Sequence, residues 1–226
     1  KVKKTITGIS GSDTEFTFNL TAADGTPMPE AAAGKTVTVK QDATGSFGEI
    51  TFTEPGEYTY TITEVDGKLP GYTYDTTGKT VTVTVEDDGK GQLVATVAGG
   101  TGFDADTNTQ TVVNTYSTDS TSVTLKVKKE IEGISGSEAE FTFNLTAADG
   151  TPMPETAAGK TVTVKQDATG SFGEITFDKA GEYTYTITEV KGDVPGYTYD
   201  TVGKTVTVKV EDKDAKLVAT VTGGTD

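Results

Sequence analysis

Apolar and polar residues alternate in twos along most of this chain. Phe16-Thr17-Phe18-Asn19-Leu20, Thr36-Val37-Thr38-Val39, Tyr58-Thr59-Tyr60-Thr61-Ile62 and Val81-Thr82-Val83-Thr84-Val85 each put β-branched or aromatic residues on one face and Thr or Asn on the other. That is the period of a half-buried strand. Turn formers separate the runs, among them Ala23-Asp24-Gly25, Glu54-Pro55-Gly56 and Pro70-Gly71, acting through fixed φ or tolerance of positive φ. No segment carries a convincing helical period. Many short strands spaced by turns predict an all-β, immunoglobulin-like sandwich, with a small closed barrel as the structural rival.

The pattern occurs twice. Residues 1–87 and 126–212 align without a gap at an offset of 125 and differ at 13 positions, which marks a tandem repeat. The register slips by one at the Asp87-Asp88-Gly89 hairpin tip, so that Leu93-Val94-Ala95-Thr96-Val97 returns as Leu217-Val218-Ala219-Thr220-Val221. Turns absorb such changes easily. A short polar stretch, Tyr116 to Ser122, joins the copies, and the expected domains are 1–117 and 118–226, placed end to end. The second copy stops at Gly223-Gly224-Thr225-Asp226, which matches Gly99 to Gly102, and is therefore expected to lack its last strand.

Composition narrows the chemistry. With no Cys, His or Trp, disulfides, thiol and imidazole nucleophiles and most transition-metal sites are excluded. No cofactor and no metal are expected. A formal charge of −15 repels phosphate backbones and anionic lipid, so nucleic acid and membrane surfaces are not expected partners. No apolar run reaches membrane-spanning length and the first residues lack the apolar stretch of a signal peptide, which fits a piece of a larger exported protein.

Alternation also produces three oddities. Val2, Lys4 and Ile6 share one face of the first strand, as do Leu125, Val127, Lys129 and Ile131 in the second copy, so each apolar face carries a lysine while Lys3 and Lys128 point outward. Tyr58, Tyr60, Ile62 and Glu64 end an inward series on an acid, repeated at Glu189. Val112, Asn114 and Tyr116 turn an asparagine inward on the last strand of copy 1. Each has an ordinary explanation taken alone: a snorkelling lysine, a solvated strand end, or an asparagine belonging to the interdomain turn.

Together with their surroundings these residues resemble the streptococcal pilin isopeptide-linkage domain. The likeness rests on Val-x-Lys in the first strand, Gly-Glu-Tyr-Thr-Tyr-Thr-Ile-Thr-Glu ending at Glu64 and Glu189, Pro-Gly-Tyr-Thr-Tyr-Asp, and Val-Val-Asn-Thr-Tyr at 112–116, in that order and at domain-scale spacing. It implies a bond between Lys4 and Asn114 assisted by Glu64. In the second copy it implies a matching Lys129 and Glu189 without an asparagine. The chemistry suits burial: desolvation drives the amine and the acid toward their neutral forms, making one nucleophilic and the other a proton donor. Ammonia would leave once per molecule, which is self-modification and not enzymatic turnover.

The resemblance implies a structural, tension-bearing module of a pilus or cell-wall-anchored stalk, extracellular, whose partners are neighbouring repeats or pilus subunits. The alternative is an adhesin domain that binds a host receptor or glycan through its loops, with Tyr72, Tyr74, Tyr197 and Tyr199 as the best candidates. Acidic pairs at Asp104 and Asp106, at Asp87 and Asp88, and at Asp212 and Asp214 lack the spacing of an EF-hand, and read as solubilising turns.

Overall fold

The computed structural model describes residues 1–223. The chain divides into two units, Lys1–Ser117 and Thr118–Asp226. Both are all-β, with no helix beyond single 3-10 turns at Ala32–Lys35 and Ala157–Lys160 among the described residues.

Copy 1 contains β1 (Val2–Thr7), β2 (Glu15–Ala22), β3 (Thr36–Lys40), β4 (Thr44–Gly45), β5 (Gly56–Glu64), β6 (Tyr72–Thr73), β7 (Lys79–Asp87), β8 (Leu93–Gly99), β9 (Phe103–Asp104) and β10 (Thr109–Tyr116). One sheet runs β3-β2-β5-β7-β8 and is antiparallel throughout. The other runs β4-β1-β10-β6, with β9 against the start of β10. The sheets face each other as an immunoglobulin-like sandwich. Period-two side chains meet between them: Phe16, Phe18 and Leu20 from β2, Tyr60 and Ile62 from β5, and Val81, Val83 and Val85 from β7 pack against Val2, Ile6 and Val112.

The pairing of β1 with β10 is parallel, whereas every other pair in the copy is antiparallel. A parallel pair cannot be closed by a hairpin. Here the chain crosses the whole domain before returning, so the first and last strands lie side by side.

Copy 2 contains β11 (Thr121–Lys128), β12 (Phe141–Ala147), β13 (Thr161–Val164), β14 (Thr169–Phe177), β15 (Gly181–Glu189), β16 (Lys204–Lys213) and β17 (Lys216–Gly223). Its sheet β13-β12-β15-β16-β17 repeats the five-stranded sheet of copy 1, and β11 pairs antiparallel with β14 to form the opposing layer. Among the described residues no strand of copy 2 takes the place that β10 holds in copy 1. The register slip has a local cause: the paired Asp87 and Leu93 enclose five residues, 88–92, whereas their counterparts Asp212 and Leu217 enclose four, 213–216, with a tip of Asp214 and Ala215, both at positive φ. Such a two-residue turn needs left-handed backbone at both positions.

Candidate functional site

Lys4, Glu64 and Asn114 meet between the two sheets of copy 1. Lys4 and Asn114 come from neighbouring parallel strands, Lys4 opposite Val112 and Asn114 opposite Ile6. Since side chains two residues apart share a face, the amine and the carboxamide project into the same layer. Glu64 arrives from β5 in the facing sheet, continuing the inward series of Tyr60 and Ile62. Lys4 and Asn114 are 0% exposed and Glu64 is 3% exposed.

Strand pairing alone does not fix the lysine. Its backbone N–H donates to Ala43 O at 3.1 Å and its carbonyl accepts from Asp42 N at 2.7 Å, so the turn after β3 clasps β1 at this residue. Asp42 takes a positive φ to make that turn. The rings of Phe16 and Phe18 wall the amine, with centroids 4.9 and 5.7 Å from Nζ.

Glu64 Oε1 is 2.8 Å from Lys4 Nζ and accepts a hydrogen bond from Asn114 Nδ2 at 2.9 Å. One carboxyl oxygen therefore faces both nitrogens. Asn114 Oδ1 accepts from the backbone N–H of Asp75 at 2.9 Å. That donor settles the amide's orientation, because an N–H can only be satisfied by the oxygen. The Asn114 carbonyl oxygen is thus held by Asp75 N, and Glu64 stands at the amide nitrogen. Asp75 was not singled out beforehand. Its sequence signal is Asp75 two residues before Thr77 and four before Lys79: the carboxylate accepts from Thr77 N at 3.2 Å and pairs with Lys79 Nζ at 2.7 Å, which stiffens the segment that aims its N–H inward.

The electrostatics follow from dryness. Burial pulls the Lys4 ammonium below its ordinary pKa, with Glu64 beside it pulling back up. Burial pushes the Glu64 carboxyl up, opposed by Lys4 and by the Asn114 hydrogen bond. Desolvation is the larger cause for both, so each group is driven toward its neutral form.

Copy 2 keeps two of the three parts. Lys129 Nζ is 2.8 Å from Glu189 Oε1, and Phe141 lies under the amine at 4.6 Å. The backbone clasp recurs, with Lys129 N donating to Ala168 O at 3.2 Å and Asp167 N to Lys129 O at 2.7 Å. Alternation predicts Lys129 within the strand, but β11 ends at Lys128; among the described residues β11 has no parallel neighbour, and the ladder stops there. Its side chain is 11% exposed. Asp200 N, the counterpart of Asp75 N, donates to Glu189 Oε2 at 2.9 Å. Beside the open edge of β11 lies a cleft of about 530 Å³ lined by Lys129, Glu189, Phe143, Ile187 and Val206.

The residues weighed for other functions are occupied locally. Tyr72 packs on Phe16 and Tyr116 with centroids 5.4 and 4.7 Å away, and its hydroxyl meets Ser12 Oγ at 2.9 Å. Tyr74 packs on Phe16, while Tyr197 and Tyr199 pack on Phe141. Asp104 accepts from Asp106 N and Thr107 Oγ1, Asp87 from Gly89 N, and Asp212 from Ala215 N. These acids build turns.

The model of the FctA family, described as a Spy0128-like isopeptide containing domain, matches residues 1–117 and again 125–226. A curated protein named Pilin, from Streptococcus pyogenes serotype M1, is 38% identical over 104 residues, which is 44% of this chain and 29% of that pilin. Among solved structures, the major pilin from Streptococcus pyogenes aligns at 22% identity with a TM-score of 0.38, covering 99% of this chain and 89% of that one. The T-13 major pilin of Streptococcus pyogenes serotype GAS131465 aligns at 20% identity and a TM-score of 0.36, covering 98% and 90%.

Proposed function

The chain belongs to the FctA family of Spy0128-like isopeptide-containing domains, and from that premise we propose that copy 1 closes itself with an amide between Lys4 and Asn114, and serves as a load-bearing module of a surface pilus or stalk. As a member of a pilin family it is a structural domain. The observation that carries the finer reading is Glu64 Oε1, 2.8 Å from the amine and 2.9 Å from the amide nitrogen that would leave.

The step balances without a co-reactant. The neutral Lys4 amine attacks Asn114 Cγ, forming a C–N bond and placing charge on Oδ1, where the Asp75 N–H stands as donor. Glu64 gives its proton to the departing nitrogen and takes one from the attacking amine, ending as it began. The Asn114 Cγ–Nδ2 bond breaks, and one ammonia is released for each amide formed.

The load-bearing role follows from where the bond would lie. Force entering along β1 and leaving along β10 would cross between adjacent strands at Lys4 and Asn114, so strands β2 to β9 would carry little of it. The neighbouring repeats or pilus subunits are the partners in that role, at the cell surface. Intact mass tests the bond: a value one ammonia below the sequence mass, mapped by digestion to a Lys4–Asn114 branched peptide, is expected. A full sequence mass for folded chain would reject it.

A further inference from the structure

The two copies differ at an edge where their sequences do not. Residues 45–52 and 170–177 are identical. In copy 2 this stretch is strand throughout, and it pairs antiparallel with the segment ahead of Lys126, with Val123 opposite Ile175 and Thr121 opposite Phe177. Phe172, Ile175 and Phe177 are 3%, 0% and 0% exposed, and Leu125 packs among them at 3%. In copy 1 only Thr44–Gly45 is strand. Phe47, Ile50 and Phe52 are half-buried, and a groove of about 260 Å³ opens between Phe47, Ile50, Tyr60, Val83, Val97 and Phe103.

A second difference lies beside the first. Leu93 is 37% exposed, whereas its counterpart Leu217 is 6% exposed. Asp119 runs alongside Leu217, donating its N–H to Ala215 O and accepting from Leu217 N. The connector Asp119–Leu125 thus covers both apolar regions in copy 2. Composition cannot explain the contrast, so what lies alongside the edge must.

We infer that the Phe47–Phe52 edge of copy 1 is a strand-acceptor groove, and that its occupant is the connector of a further copy of this module, an extended segment of the chemistry of Asp119–Leu125 laid antiparallel to Ile50–Phe52. The backbone of that segment satisfies open donors and acceptors, as in other cases of strand addition. Its apolar residues, spaced two apart, face the groove. In such a segment the leucine corresponding to Leu125 fills the space that Leu125 fills in copy 2, and the Lys1 nitrogen already donates to Asn108 O at 3.1 Å at the groove's rim. This inference is independent of the Lys4–Asn114 amide, which intact mass reads separately.

The test places Thr-Asp-Ser-Thr-Ser-Val-Thr-Leu directly ahead of Lys1 in the full chain and follows amide exchange residue by residue. Exchange at Ile50–Phe52 is expected to slow at least roughly tenfold, about the worth of one net backbone hydrogen bond, toward the rates of Ile175–Phe177. A control extension with the Val and Leu replaced by Asp is expected to leave it unchanged. No slowing with the first extension, or equal slowing with both, would overturn the inference.

Discussion

Lys4 and Asn114 stand one pleat apart on the same face of two parallel strands drawn from opposite ends of copy 1, with no exposed surface on either. The reactive geometry therefore depends on register. A slip of one residue would turn Lys4 to solvent and Lys3 inward. Lys3→Ala, which alters an exposed side chain, is expected to keep the mass deficit of one ammonia, and Lys4→Ala to abolish it. The reverse result would mean that β1 is paired one residue out of place.

Glu64→Ala is expected to give a folded copy 1 that retains its ammonia, because the proton shuttle is lost while the strands remain. Asn114→Ala also prevents the bond but leaves the Lys4–Glu64 pair intact. By analogy with a disulfide closing a loop of this length, losing the link should lower stability by ~4–5 kcal/mol. Denaturant melts of Asn114→Ala against the parent would measure it; coincident curves would show that the link contributes nothing.

The pH dependence of bond formation should be flat-topped. The neutral amine beside the neutral acid holds one proton, as does the ion pair, so its share does not change with pH while the pair keeps a single proton. Acid adds a second proton and locks the amine as ammonium; base removes the last one and leaves a carboxylate that cannot donate. Because burial raises the Glu64 pKa and lowers that of Lys4, both limbs move inward from the ordinary carboxylate and lysine ranges. Refolding unlinked chain from urea at a series of pH values and timing the mass loss would check this. A rate that climbs steadily through the alkaline range would rule out Glu64 as proton donor.

Near-identical sequences should have unequal resistance to protease. Copy 1 has β10 and the proposed link, whereas the described part of copy 2 has an open cleft and an unpaired β11 edge, the kind of feature that lets a domain open locally. Limited digestion is expected to cut within residues 118–223 first. Equal rates for both copies would contradict the assignment.

The cleft of copy 2 should accept a peptide with the sequence of residues 109–116. Docking relies on backbone pairing beside β11. Bonding to Lys129 further requires Asp200 N to leave Glu189 Oε2 for the incoming amide oxygen, so docking should be faster than covalent capture. Glu189→Ala should suppress the adduct, read as the peptide mass less ammonia, more than it weakens docking. Absence of any adduct at high peptide concentration, with copy 2 folded, would show that Lys129 is not poised.

Much of this was legible because period-two alternation is strict. The runs at Phe16, Thr36, Tyr58 and Val81 each fall inside an observed strand, and the same alternation turned Lys4, Glu64 and Asn114 toward one layer. Carried two residues back from Val112 it also points Gln110 inward, where the side chain donates to Thr101 O and Thr111 O. What alternation cannot supply is which strands become neighbours. The parallel β1–β10 pair, the Asp75 N–H on the amide oxygen and the connector that covers one copy but not the other all join residues far apart in sequence. Local propensity is blind to them.

The side-by-side placement of first and last strands also sets an order of events in time. As a copy leaves a ribosome or an export channel, β1 appears at the outset but cannot complete its sheet until β10 has followed. Pairings between such distant segments form slowly. Copy 1 therefore stays unfinished until residues 109–116 have emerged, and it can close before any of copy 2 has appeared.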